Sequence, residues 1–144
     1  MPEFILDKGS TADAKGFSDL SSFVQGYIEA MFFTETGNDD DLEDANSGEL
    51  SDESIASIVA DCDAFEKANE ALLSQAYDLG ENFKYPYDAT RAGHDFWFTR
   101  CGHGVGFWSR DLGDTGEALS EAARKAGSAY LYRGDDGKLY HSKG

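Results

Sequence analysis

Apolar residues recur along the first half of the chain at three- and four-residue intervals. Leu20, Phe23, Val24, Tyr27, Ile28, Met31 and Phe32 make one such stripe, the mark of a helix with one buried face. Ser18 is the expected N-cap, Asp19 suits the first turn, and Gly37 is the expected stop. Gly26 in mid-helix costs about 1 kcal/mol relative to alanine, which points to a close helix contact there. A second stripe holds Ile55, Ile58, Val59, Cys62, Phe65, Leu72, Leu73 and Ala76. It predicts a helix from Ser51 to Gly80, with Leu50 and Ile55 stapling its start. Unbroken, that helix would span roughly 40 Å. Asn69 interrupts the stripe, so it lies at an edge or needs a polar partner. The two helices are expected to pack as an antiparallel pair.

The pattern changes after residue 80. Pro86 takes Tyr85 out of helical geometry, so 81–87 reads as a linker. The stretch from Asp88 to Cys101 admits two readings: a helix capped by Asp88 and stopped by Gly102, or a strand over His94–Arg100. The cap with Ala89 and Ala92 favours the helix, which is the expected form; Gly93 and the run Phe96-Trp97-Phe98-Thr99 oppose it. Val105–Ser109 reads as a strand. Asp114 and Glu117 resemble a capping box ahead of an alanine-rich helix ending at Gly127. Tyr130, Tyr132 and Tyr140 alternate with Leu131 and Leu139 around an RGDDG turn, which predicts a hairpin with one apolar face. The expected class is α+β: an acidic helical pair, a short antiparallel sheet and a further short helix, in one domain over residues 1–144.

Charge divides the chain at the same place. The formal net charge is −16, and residues 1–80 hold 19 acidic side chains against 3 basic ones. Residues 81–144 hold 9 of each. The whole excess therefore sits on the N-terminal half, where it repels nucleic acid and membrane surfaces and attracts basic proteins. A solvated helical surface would carry the same composition. No apolar run is long enough for a bilayer, and MPEFILDKGS lacks the pattern of a secretory signal. Cys62 and Cys101 make neither a disulfide framework nor a metal knuckle, so a reducing cytoplasm is the expected location.

Three constellations carry candidate chemistry. The first is acidic: Asp39, Asp40, Asp41, Glu43 and Asp44 in a loop, then Asp52, Glu53, Asp61, Asp63, Glu66 and Glu70 along the second helix. The loop fails as a calcium site, because its sixth position is Asp44 counted from Asp39 and Glu49 counted from Asp44. The second is aromatic and cationic: His94, Trp97, Arg100, His103, Trp108 and Arg110, a face that could stack and neutralise a nucleic-acid strand. The same residues suit a core with arginines paired to Asp95 and Asp111. The third is His94, Asp95 and His103, which could bind zinc or move protons around a turn, though no metal-ligand spacing matches. Gly102, Gly104 and Gly106 have neither dinucleotide nor Walker spacing, and no cofactor is expected.

The run AGHDFWFTRCGHGVGFWSRDLG, followed by the alanine-rich segment and LYRGDDGKLY, resembles a segment common in small hypothetical proteins of tailed bacteriophages. The resemblance covers roughly the last 60 residues, and FVQGYIEA and IVADCDAF more loosely. It implies phage origin and no settled activity, so it transfers no catalytic role. Many small acidic phage proteins act on host or defence proteins, which is an analogy. Together with the charge layout it gives the expected function: a non-enzymatic accessory protein that binds a basic host or defence protein in the host cytoplasm. Its acids would imitate DNA phosphates. A single-strand-binding module and a small metal-dependent hydrolase are the alternatives.

Overall fold

Ser21 starts the first helix described. Its hydroxyl accepts from the Val24 N–H at 3.2 Å and opens α1 (Ser22–Glu35). The computed structural model describes residues 20–36, 42 and 45–143. The expected Ser18 cap and Asp19 lie outside them. Ser51 caps α2 (Asp52–Ala68) through the Ser54 N–H at 3.0 Å, as the sequence predicts.

The 40 Å helix does not form. The chain breaks at Asn69 into α2 and α3 (Glu70–Leu79). The Asn69 side-chain amide donates to the Phe65 carbonyl at 2.9 Å, and its backbone N–H reaches Phe65 and Glu66. Asn69 thus finds its partner one turn back, and this local bond supports the break.

Asp88 settles the ambiguous central stretch as α4 (Ala89–Arg100), its carboxylate accepting from the Arg91 N–H at 3.0 Å. The strand alternative is therefore not adopted. The predicted strand at Val105–Ser109 is also not formed. Phe107–Ser109 is a 3-10 turn instead, in which Ser109 bonds both N–H and C=O of Gly106. Phe107 goes into the core rather than beside another strand. The last helix, α5 (Gly113–Lys125), begins without a side-chain cap, so Asp114 and Glu117 form no capping box. Asp114 keeps only its favourable place in the first turn.

The strands are β1 (Ala129–Arg133) and β2 (Leu139–Lys143), antiparallel with Leu131 opposite His141 and Tyr132 opposite Tyr140. Ala129, Leu131, Leu139 and His141 are buried, while Tyr130 and Tyr132 are exposed, as alternation predicts. The class is α+β.

Helix pairing departs from expectation. α1 and α2 touch through Phe23 and Phe65, yet α1 lies most closely on α4. Gly26 and Gly93 explain why. A Cβ on Gly26 would overlap the Thr90 carbonyl, and one on Gly93 would overlap the Phe23 carbonyl. Each helix presents a bare backbone where the other crosses it. Gly93, an argument against helix when read alone, is what lets this helix pack. Phe65 of α2 then stacks on Phe96 at 4.2 Å, and one core draws from both halves of the chain.

Candidate functional site

The acids of α2 and α3 do not all share one fate. Asp61 turns toward α4, where its carboxylate lies 3.0 Å from Arg100 Nη1 with little solvent exposure. It leaves the proposed acidic face, because its helical position borders the Ile58–Cys62–Phe65 stripe. Asp52, Glu53, Asp63 and Glu70 are exposed and Glu66 is half-buried. None of these five is in an ion pair among the described residues. Asp52 and Asp63, about three turns apart, fall on one side of α2. Asp39, Asp40, Asp41, Glu43 and Asp44 lie outside the described residues.

Three of these acids share a groove that spans the two helices on either side of Asn69. Asp63, Glu66 and Glu70 line an open depression of about 620 Å³ with Lys67, Leu73 and Tyr77. Burial, then the neighbouring Asp63 carboxylate, holds the Glu66 carboxyl above its usual range. Burial and nearby carboxylates also push the Tyr77 hydroxyl to about 12. The groove thus crowds negative charge beside a small apolar floor, a surface suited to lysine or arginine side chains.

The aromatic and cationic face is not assembled. Trp97 is fully buried and donates its indole N–H to Thr34 at 2.8 Å. Arg100 is buried against Asp61, Tyr27 and the carbonyls of Ala126 and Gly127. Arg110 grips the buried Asp95 carboxylate with two nitrogens at 2.8–3.2 Å. Of the two tryptophans, Trp108, 41% exposed, remains available for stacking. The stretch has these residues because it builds core.

His94, Asp95 and His103 do not converge either. His94 bonds Glu29 of α1 at 2.9 Å, His103 sets its ring against Phe98, and Asp95 accepts from Tyr87 at 2.6 Å. Consecutive helical positions point about 100° apart, which separates His94 from Asp95. Among the described residues, no three His, Cys, Asp or Glu side chains are grouped to hold a metal.

A polar chain that sequence reasoning missed runs through the core. Tyr27 Oη accepts from Arg100 at 3.0 Å and lies 2.7 Å from His141 Nε2; Ser57 Oγ lies 3.3 Å from His141 Nδ1. Burial pushes the Tyr27 hydroxyl well above its ordinary range, outweighing the opposite pull of Arg100, so the phenol keeps its proton. Which of Tyr27 Oη and His141 Nε2 donates follows the imidazole tautomer. The signal was legible: His141 sits two residues after Leu139, in the same inward register. Both cysteines are quiet. Burial raises the Cys62 thiol well above its usual value and the Cys101 thiol to about 11.

No protein-family model, curated protein or solved structure matches this chain. Its function must be argued from these surfaces. No helix among the described residues is long and apolar enough to cross a membrane.

Proposed function

We propose that the protein is a phage-encoded accessory protein whose acidic surface binds a host or defence protein, imitating DNA phosphates toward a basic, nucleic-acid-handling partner. The observation that carries this reading is the groove at the α2–α3 break. Three carboxylates line it against one lysine, and none of the three is in an ion pair among the described residues. Exposed Asp52 and Glu53 extend the negative surface toward the start of α2. The neutral half supports it as scaffold, with Arg110, Arg100 and Arg133 paired to Asp95, Asp61 and Glu49. The resemblance to small phage proteins supports the phage setting.

The test is capture from host lysate over a salt series, followed by competition with duplex DNA. A phosphate mimic releases its partner as salt rises and as DNA is added. An Asp63→Asn, Glu66→Gln, Glu70→Gln triple variant should lose capture while remaining folded. Capture that ignores both salt and the triple variant rejects the proposal.

A further inference from the structure

A pocket whose lining holds more cations than acids lies close to the acidic groove. Tyr77, which lines that groove, packs on Tyr87 with ring centroids 6.4 Å apart. Tyr87 in turn lines a second pocket of about 370 Å³, with Lys84, Tyr85, Arg91, Arg110 and Asp111 around it. Three of its lining residues are cationic and one is anionic.

The cations are not equivalent. Arg110 is neutralised by the buried Asp95. Arg91 and Lys84 are in no ion pair among the described residues. The Arg91 Nε is buried with no acceptor. That nitrogen has almost no surface of its own, so a ligand in the pocket meets Arg91 through its other guanidinium nitrogens. Lys84 is exposed, and its ammonium sits 5.6 Å from the centre of the Tyr85 ring. That ring is 65% exposed, with the Lys84 ammonium over one face. Asp111 holds its backbone at φ 61°, the left-handed region that only a minority of non-glycine residues occupy. Strain of this kind concentrates at ligand sites.

From this juxtaposition we propose that the pocket binds a mononucleotide. The phosphate takes the Arg91 and Lys84 donors, the base stacks on Tyr85, and the Asp111 carboxylate accepts from a hydroxyl or amine. Guanidinium and ammonium together suit a phosphate oxygen cluster, and a ring–base stack adds affinity without sequence readout. The volume falls in the range of small-ligand pockets. The site is separate from the acidic groove, so it stands or falls independently of the partner-binding proposal.

Titration calorimetry of the full chain tests it, with adenosine monophosphate, adenosine and inorganic phosphate as probes. Adenosine monophosphate should bind saturably, and the other two roughly tenfold more weakly or worse. Lys84→Gln with Arg91→Gln should weaken the nucleotide by about tenfold or more, and Tyr85→Ala should weaken it while sparing phosphate. Lys84 and Tyr85 are exposed, so Lys84→Gln and Tyr85→Ala retain the fold even where Arg91→Gln does not. Absence of saturable nucleotide binding overturns the assignment. So does nucleotide binding that is unchanged in the Lys84 and Tyr85 variants. Affinity that climbs with the length of a phosphorylated oligonucleotide also overturns it, because the ligand would then be a strand.

Discussion

Gly93 lies directly against the backbone carbonyl of Phe23, with no room for a methyl group between α4 and α1. Backbone atoms cannot swing aside as a side-chain tip can. Gly93→Ala should therefore destabilise the protein by about 2–3 kcal/mol, even though alanine gains about 1 kcal/mol of helix propensity. Gly104→Ala meets open space and should change stability by less than about 0.5 kcal/mol. Urea unfolding of both variants gives the comparison, and equal midpoints would refute the close crossing.

Asp61 and Arg100 form a buried pair inside a larger polar chain. Removing one partner strands the other charge away from water. Asp61→Ala should cost about 3 kcal/mol, well beyond what an exposed α2 acid such as Asp52 contributes. Thermal unfolding of Asp61→Ala and Asp52→Ala separates the two. Partner capture should follow the opposite order, because Asp61 faces Arg100 rather than solvent.

Glu66 offers a trade between stability and binding. Its folded-state carboxyl is held above the unfolded value, so folding favours the protonated form. That stability is present below the unfolded value and is lost as pH rises through the folded one. At neutral pH the charged Glu66 therefore costs stability, and Glu66→Gln should raise it. The gain should stay below about 1 kcal/mol, since water screens a half-exposed group. It should vanish in acid, while partner capture weakens at neutral pH. A variant that loses stability at neutral pH would contradict this balance.

The hairpin carries a titration signature of its own. Tyr140 donates to Asp136 at 2.6 Å, and that bond pushes its hydroxyl to about 12. The same bond, with the Lys138 N–H, holds the Asp136 carboxyl below its ordinary range. A depressed folded value means stability present above the unfolded value and lost as pH falls through the folded one. Asp136→Asn should return Tyr140 toward 10, the ordinary value, in an NMR titration. An unchanged Tyr140 would show that the bond does not form in solution.

These residues also mark how far the sequence could be read. Three-four spacing gave α1 and the second apolar stripe, since burial on one helix face leaves a periodic trace. Alternation gave the hairpin and its inward leucines. The break at Asn69 left no such trace, because it rests on a side chain bonding a carbonyl one turn back. The partner of α1 was equally hidden. Gly26 announced a close neighbour, but only three-dimensional packing shows that Gly93 supplies it. The acidic surface was visible as composition, whereas the inward turn of Asp61 depended on where α4 came to rest. Trp97, Arg100 and Arg110 misled for a related reason: rare residues crowd together in cores as readily as in sites.

The hairpin has a consequence for synthesis. Leu139 accepts from the Ser51 N–H and the Ser54 hydroxyl, and His141 reaches Tyr27 across 114 positions. These anchors leave the ribosome after every helix described. A nascent chain lacking them exposes the start of α2 and leaves the Tyr27–Arg100 chain incomplete. Cooperative folding should therefore wait until β2 has emerged, and until then the unfinished chain depends on its own negative charge, or on a chaperone, to stay dispersed.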